Sequence, residues 1–226
     1  MPVAVVTGGS GGIGFACAQL LTKRGYDVLL TARREGPLRE AAETLGCRWK
    51  TADCSVEADV DVLYDGETSV AMVVHAAGGY AGTLVRRQPV GVLDQVLAAN
   101  LRSAYLVASK ALPLLSAGSR IVFISSTAGR GTPTLSAYSA SKAGVNALAL
   151  ALAGEVEKHG VGVHLVTPGP VDTPMFGDYV ANVPTLRADD VARVVGWLEE
   201  LPPRVVIREI VLEPVTSGPF VPKPAT

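Results

Sequence analysis

Short apolar segments alternate with longer helical segments along almost the whole chain of 226 residues. The apolar segments are continuous runs, which is typical of strands that helices cover on both faces. Because successive parallel strands need a crossover connection between them, this alternation specifies a parallel sheet. The sequence therefore predicts the α/β class: a doubly wound parallel sheet of about seven strands with helices on both faces.

The segments can be assigned along the chain. Predicted strands cover 3–7, 27–32, 70–74, 120–125, 161–167 and 208–213, and a further strand precedes Asp53. Predicted helices cover 12–24, 37–45, 90–115, 136–159 and 188–201, the third with a potential break at Asn100, a residue that competes for backbone hydrogen bonds. We find no linker or repeat, and therefore expect one domain over 1–226 with an irregular proline-rich tail from about 214 to 226.

Composition excludes several classes of protein. The net charge of −1 provides no basic surface for nucleic acid, and no apolar run approaches the roughly 18 residues of a membrane span. We expect no secretory signal, and three cysteines without a CxxC pair are typical of free thiols in a reducing compartment. We expect a cytoplasmic protein with no membrane or nucleic-acid partner. The three histidines lack metal-ligand spacing, so no metal site is predicted.

The first predicted strand ends in a glycine-rich turn, TGGSGGIG over residues 7–14, that opens a helix. Glycines let the backbone approach a pyrophosphate closely, and the helix N-terminus offers free N–H groups. A structural turn is the alternative, but the position between a strand and a helix favours a Rossmann-type dinucleotide site. The residues predicted to hold the cofactor here are Gly8, Gly9, Ser10, Gly12, Ile13 and Gly14.

The second predicted strand ends in Thr31-Ala32-Arg33-Arg34. A carboxylate at this place binds the ribose 2′-hydroxyl of NAD(H), whereas an arginine accommodates the 2′-phosphate of NADP(H). Arg33 and Arg34 therefore favour NADP(H) over NAD(H), although a solvated arginine pair is also common.

Tyr138 and Lys142 are four residues apart and so share one face of a predicted helix. A tyrosine is a poor acid–base group at neutral pH, but a nearby ammonium favours its ionised form. Upstream, Ser125 and Ser126 end a predicted strand, where the ligands of doubly wound sheets bind. A serine there can donate a hydrogen bond to a substrate oxygen.

The order of these motifs resembles that of the short-chain dehydrogenase/reductase family. TGxxxGxG lies at 7–14, ISSxxG at 124–129, YxxxK at 138–142 and PGxxxT at 168–173, so the resemblance spans most of the chain. It implies a catalytic set of Asn100, Ser126, Tyr138 and Lys142, with Asn100 holding a water in a relay toward Lys142. Ser125 is an alternative to Ser126, because Ser126 is one residue nearer to Tyr138 than the catalytic serine is in many relatives.

The resemblance also implies further cofactor contacts. An Asp at position 53 contacts the adenine in that family, although by itself it reads as a loop residue or a helix cap. The implied cofactor-binding residues beyond the glycine-rich turn are Arg33, Arg34, Asp53, Cys54, Ala77, Gly78, Tyr138, Lys142, Pro168, Gly169, Val171 and Thr173. Homodimers or homotetramers are common in the family, and we expect one of them here.

The chain departs from the family pattern in two informative places. The family's NNAG is His75-Ala76-Ala77-Gly78, so an asparagine that helps to knit the central sheet is missing, and we interpret His75 as a packed, hydrogen-bonded residue. Many NADP-binding members also carry a basic residue inside the glycine-rich turn, where this chain has Gly11.

The resemblance implies reversible hydride transfer between NADP(H) and a small carbonyl or secondary alcohol, with Tyr138 as general acid/base. A non-catalytic nucleotide-sensing or scaffold protein on the same fold is the alternative, since a fold does not fix a function. Another is an enzyme that uses the cofactor for epimerisation or dehydration. Candidate substrate-pocket residues, by position only, are Tyr80, Thr127, Pro133, Leu135, Met175 and Phe176.

Overall fold

The computed structural model describes residues 1–175 and 183–216, so Phe176 and the last ten residues of the predicted tail lie outside the described ranges. Seven strands form one parallel sheet in the order β3-β2-β1-β4-β5-β6-β9. Their bounds are β1 Val3–Thr7, β2 Asp27–Ala32, β3 Arg48–Thr51, β4 Met72–His75, β5 Arg120–Ile124, β6 Gly162–Pro168 and β9 Glu209–Leu212. A short parallel pair, β7 Val171–Asp172 with β8 Leu186–Arg187, lies apart from this sheet.

Helices cover both faces of the sheet. The helices are α1 Gly12–Lys23, α2 Glu35–Leu45, α3 Glu57–Tyr64, α4 Val90–Leu97, α5 Ser103–Ala111, α6 Ser136–Val156 and α7 Ala188–Glu200. One apolar cluster joins α1, α2 and α7 to the sheet, and a second joins α3, α5 and α6 to the opposite face. The predicted doubly wound α/β fold is therefore confirmed.

The long predicted helix over 90–115 is interrupted, as expected. Five residues, Ala98–Arg102, form a π-helical turn between α4 and α5, and Leu112–Leu114 forms a 3₁₀ turn. A π turn inserts one residue into the helical ladder and is common at functional sites. Asn100, whose side chain is almost fully buried, stands in the middle of this turn.

The other elements assigned from the sequence differ from the structure only at their ends, while α3 lies outside the predicted helix ranges. Strand β4 begins two residues later than predicted, and the helix predicted over 136–159 ends in a 3₁₀ turn from Glu157. The β7–β8 pair was not predicted, because two-residue strands leave no apolar pattern. No helix in the described ranges is long and apolar enough to cross a membrane.

The direction in which strands are added to the sheet reverses between β1 and β4. From β1 the chain adds β2 and β3 on one side, and from β4 it adds β5, β6 and β9 on the other. In doubly wound sheets the crevice at this switch point, outside the carboxyl ends of the strands, is the ligand site. The glycine-rich turn follows β1, and residues 76–79 follow β4, so the two loops border that crevice.

Candidate active site

A cleft of about 740 Å³ opens at the carboxyl ends of the strands. Its lining includes the predicted residues Gly8, Ser10, Gly12, Ile13, Gly14, Arg33, Arg34, Asp53, Cys54, Ala77, Gly78, Asn100, Ser126, Tyr138, Lys142, Pro168, Gly169, Val171 and Thr173. Gly9 differs from these: its N–H donates to the Thr31 carbonyl, and an added Cβ would collide with Leu30. Gly9 therefore serves close packing on β2 rather than the lining of the cleft.

The glycine-rich turn is closed by contacts that only glycine allows. Gly8 has φ +68°, and a Cβ there would lie 2.8 Å from the Ala76 carbonyl oxygen. A Cβ on Gly14 would collide with the Gly8 carbonyl oxygen, so the start of α1 packs directly on the loop. The free N–H groups of the first turn of α1 thus border the cleft and suit an anion.

One end of the cleft is positively charged. Arg33 and Arg34 line it at the end of β2, and neither forms an ion pair or a side-chain hydrogen bond within the described ranges. The Asp53 carboxylate accepts hydrogen bonds from the Ser55 N–H and hydroxyl at 2.9 and 2.7 Å. Burial raises the pKa of Asp53, but these bonds and the charge of Arg33 outweigh it and hold that pKa below its usual value.

Ser126 and Tyr138 meet at the other end. Ser126 caps a 3₁₀ turn, Thr127–Arg130, by accepting a hydrogen bond from the Ala128 N–H. Burial raises the pKa of Tyr138 to about 12, although a hydrogen bond with the Ser126 side chain opposes the rise. A neutral phenol and a serine hydroxyl therefore lie side by side, where both can reach one substrate oxygen.

Ser125 points elsewhere. Its hydroxyl donates to the Asn146 side-chain oxygen on α6, although Ser125 also borders the cleft. The geometry thus separates two serines that the sequence alone left as alternatives: Ser126 bonds to Tyr138, and Ser125 anchors a strand end to a helix.

Lys142 lies one turn after Tyr138 on α6 and is buried. Its ammonium donates to the Ile124 carbonyl at 2.9 Å, and its Nζ is 5.8 Å from the centre of the Tyr138 ring. Burial lowers the pKa of Lys142 to about 8. The side chain is therefore a cation that titrates close to neutral pH at the floor of the cleft.

Asn100 joins three parts of the site. Its amide exchanges two hydrogen bonds with the Gly79 backbone, at 2.7 and 2.9 Å, and donates a third to the Ser141 hydroxyl at 2.8 Å. Ser141 in turn donates to the Tyr138 carbonyl. The π turn, the loop after β4 and the Tyr138 turn of α6 are thereby held together, and sequence reasoning did not identify Gly79 or Ser141.

The substrate-pocket candidates separate into two groups. Tyr80 packs edge-on against Tyr138 with 5.5 Å between ring centres, and Leu135 belongs to the same apolar cluster. Met175 lines the cleft, whereas its described lining contains none of Tyr80, Thr127, Pro133 and Leu135. In the described ranges no group of histidine, cysteine or carboxylate side chains could hold a metal ion.

Comparison with known proteins supplies the family. A sequence model of the family described as short chain dehydrogenase matches residues 2–183, which is most of the chain. The chain belongs to the short-chain dehydrogenase/reductase family. The family's members are oxidoreductases that bind a nicotinamide cofactor, and the cleft of this short-chain dehydrogenase/reductase lies where such a cofactor binds in doubly wound sheets.

Two curated relatives and one solved structure illustrate the similarity. An uncharacterized oxidoreductase of Staphylococcus epidermidis is 31% identical over 223 residues, covering 94% of this chain and 97% of the relative. Carbonyl reductase family member 4 of Danio rerio is 35% identical over 182 residues, covering 76% and 77%. A solved short chain dehydrogenase/reductase family protein superposes with a TM-score of 0.84 at 28% identity, over 94% and 95% of the two chains.

Proposed function

We propose that this enzyme transfers a hydride reversibly between NADP(H) and a small carbonyl or secondary alcohol, with Tyr138 as general acid/base. The observation that carries the proposal is the hydrogen bond between Ser126 and Tyr138, one helical turn from the buried Lys142 in a cleft that a glycine-rich loop borders. A nucleotide-sensing scaffold would not need this set of titratable groups. The similarity to a carbonyl reductase of Danio rerio supports the substrate class.

The cleft fits a dinucleotide. The Gly8 and Gly14 positions leave no room for a Cβ, so the backbone itself forms the cradle. The first turn of α1 and the two arginines supply positive potential for phosphates. Residues Pro168, Gly169, Val171 and Thr173 also border the cleft. When bound, the nicotinamide would supply the hydride chemistry, which no side chain provides.

Side chains of the protein would carry out the proton transfer. Ser126 and Tyr138 would bind the carbonyl oxygen, and Tyr138 would give it a proton in the reductive direction. Because burial raises the pKa of Tyr138 to about 12, its proton is held firmly until a charge nearby stabilises the phenolate. Lys142, the nearest cation on α6, is placed to do so.

Arg33 is the basis for the NADP(H) preference. It borders the cleft where β2 ends, and its charge acts on Asp53. Ala32, the last residue of β2, offers no carboxylate to a ribose 2′-hydroxyl. A guanidinium here would form charge-assisted hydrogen bonds with a 2′-phosphate.

The proposal is tested by titrating the purified protein with NADPH and with NADH, followed by nucleotide fluorescence. We expect tighter binding of NADPH. Arg33→Ala should weaken NADPH by about tenfold or more, the worth of one hydrogen bond to a charged group, and change NADH little. Arg39→Ala is the matched control, because Arg39 lies on the exposed face of α2 and pairs with Glu43. Equal losses for the two nucleotides would contradict the role of Arg33.

Turnover is tested separately with a panel of aldehydes and ketones and NADPH. Tyr138→Phe should abolish reduction, because it removes the proton that the carbonyl oxygen needs, while nucleotide binding stays close to that of the wild type. Near wild-type turnover in this variant would overturn the assignment of Tyr138. Binding of NADPH without reduction of any carbonyl would favour the scaffold alternative.

A further inference from the structure

His75, the last residue of β4, is buried at the base of the cleft with both ring nitrogens hydrogen-bonded. Its Nδ1 lies 3.0 Å from the Thr7 hydroxyl at the end of β1. Its Nε2 lies 3.2 Å from the Ser103 hydroxyl, the first residue of α5. All three side chains are almost completely inaccessible to solvent. The imidazole therefore links two adjacent strands to the helix that follows the π turn.

The surrounding bonds fix which nitrogen carries the proton. The Thr7 oxygen already accepts the Ala77 N–H at 3.0 Å, so its own hydrogen is available for Nδ1. The Ser103 hydroxyl donates to the Ala99 carbonyl at 2.6 Å and so accepts from Nε2. The assignment that satisfies every group is a neutral ring with the proton on Nε2. Burial, followed by the charge of Lys142, lowers the pKa of His75 to about 3, which agrees with a neutral ring.

Both ends of this chain of hydrogen bonds lie in the cleft wall. Ala77 is in the loop after β4, and Ala99 and Ser103 are in and beside the π turn that holds Asn100. A π turn interrupts the regular ladder of the helix, so it needs other contacts to hold its shape. Ser103 supplies one by bonding the Ala99 carbonyl, and His75 fixes the Ser103 hydroxyl in the orientation that makes this bond.

We propose that His75 is a positioning residue of the active site, which fixes the π turn of Asn100 relative to the ends of β1 and β4. Through Asn100 it sets the place of Gly79 and of the Tyr138 turn of α6. His75 itself touches no reacting atom. The kinetic part of this proposal rests on the proposed function, whereas the structural part does not.

Two variants break the link at different points. His75→Phe keeps an aromatic ring of similar size beside Phe123 but removes both hydrogen bonds. Ser103→Ala removes only the hydroxyl and so keeps the proposal testable if the first variant fails to fold. For both we expect kcat for the best carbonyl of the panel to fall by ten- to a hundredfold, the cost of a small displacement of catalytic groups, with the Kd of NADPH within about threefold.

A second readout needs no turnover. Amide hydrogen exchange of residues 98–103 in the protein without added ligand should accelerate by about tenfold or more in both variants, because the π turn loses its support. His75→Gln, which can reach Ser103, should restore slow exchange and turnover, whereas His75→Asn, which reaches only Thr7, should not. In the wild-type protein, ring ¹⁵N spectra should show the His75 proton on Nε2.

His164→Phe is the matched control. His164 is also fully buried, but it bonds the Ile207 carbonyl and faces Arg120, and neither of these lies in the cleft lining. This variant should lose thermal stability and leave exchange at 98–103 unchanged. The proposal is overturned if His75→Phe and Ser103→Ala affect kcat and exchange no more than His164→Phe does, or if the proton is on Nδ1. A wild-type protein that reduces no carbonyl would refute the proposed function alone, and exchange would still decide the role of His75.

Discussion

At the residue scale, burial moves the two titratable groups of the site in opposite directions. It raises the pKa of Tyr138 to about 12 and lowers that of Lys142 to about 8, because in each case the charged form is the one that loses hydration. The tyrosine stays protonated over the whole physiological range. Lys142, in contrast, changes charge within the range in which an enzyme is assayed.

This titration predicts how nucleotide binding depends on pH. Below about pH 8 Lys142 is an ammonium that attracts the negatively charged nucleotide, and above that pH it becomes neutral. The affinity for NADPH should therefore be highest below pH 8 and fall as the pH rises, by up to tenfold per unit. Titrations from pH 6 to about 10 test this. Lys142→Met should bind NADPH more weakly than the wild type at low pH, and its affinity should not fall as the pH rises. A fall of the same size in this variant would exclude Lys142 as the source of the pH dependence.

Substitutions of the two adjacent serines should have different effects on turnover. Ser126→Ala removes a donor from the substrate oxygen and should lower kcat by about a hundred- to a thousandfold. It also removes the cap of the 3₁₀ turn, which should lower the free energy of unfolding by about 0.5–2 kcal/mol. Ser125→Ala leaves the Asn146 oxygen without its donor and should lower the free energy of unfolding by about 1–3 kcal/mol, with a much smaller loss of kcat. Urea unfolding and steady-state kinetics measure the two effects. A larger loss of kcat in the Ser125 variant would reverse the assignment.

At the scale of elements, strongly apolar segments were the most predictable. The continuous runs ending at Thr7 and Ala32 gave strands with the observed bounds, because central parallel strands are buried on both faces. The break at Asn100 was foreseen, but its form was not, since the π turn depends on a bond to Gly79, which is 21 residues away in sequence. Motif spacing brought Ser126, Tyr138 and Lys142 together, whereas the choice between Ser125 and Ser126 required Asn146 to be located.

The glycine-rich element offers a gain-of-function prediction. Gly11 has extended backbone, φ 170°, and an added Cβ would have no neighbour within 4 Å, so a long side chain fits there. Gly11→Arg should strengthen NADPH binding by about tenfold and change NADH binding much less, because it adds a cation where related NADP-binding enzymes carry one.

Gly8→Ala provides the contrasting control for that loop. Its φ of +68° and the Ala76 carbonyl 2.8 Å from an added Cβ make any side chain strained. This variant should weaken both nucleotides alike. If Gly11→Arg also weakens both nucleotides alike, the loop does not tolerate the arginine side chain and the predicted gain in NADPH affinity is wrong.

At the scale of the molecule, both apolar clusters depend on the same strands. Val5, Val73 and Ile121 face one cluster, while Val6, Val74 and Val122 face the other. If one layer of helices separated, it would expose one face of the strands whose other face covers the second cluster. We therefore propose that the chain is a single cooperative domain and unfolds in one transition.

Nucleotide binding should then stabilise the whole domain. A ligand at a hundred times its Kd that binds only the folded state adds about 2.7 kcal/mol to the free energy of unfolding. For a domain of this size that raises Tm by about 5–10 °C. Calorimetry with NADPH should show one transition that moves by this amount in the wild type and in Tyr138→Phe, which keeps the cradle. Because its affinity is expected to be about tenfold lower or worse, the Tm of Arg33→Ala at the same nucleotide concentration should rise by about half as much or less. Two transitions, of which NADPH shifts only one, would show that the sheet does not couple the two layers of helices.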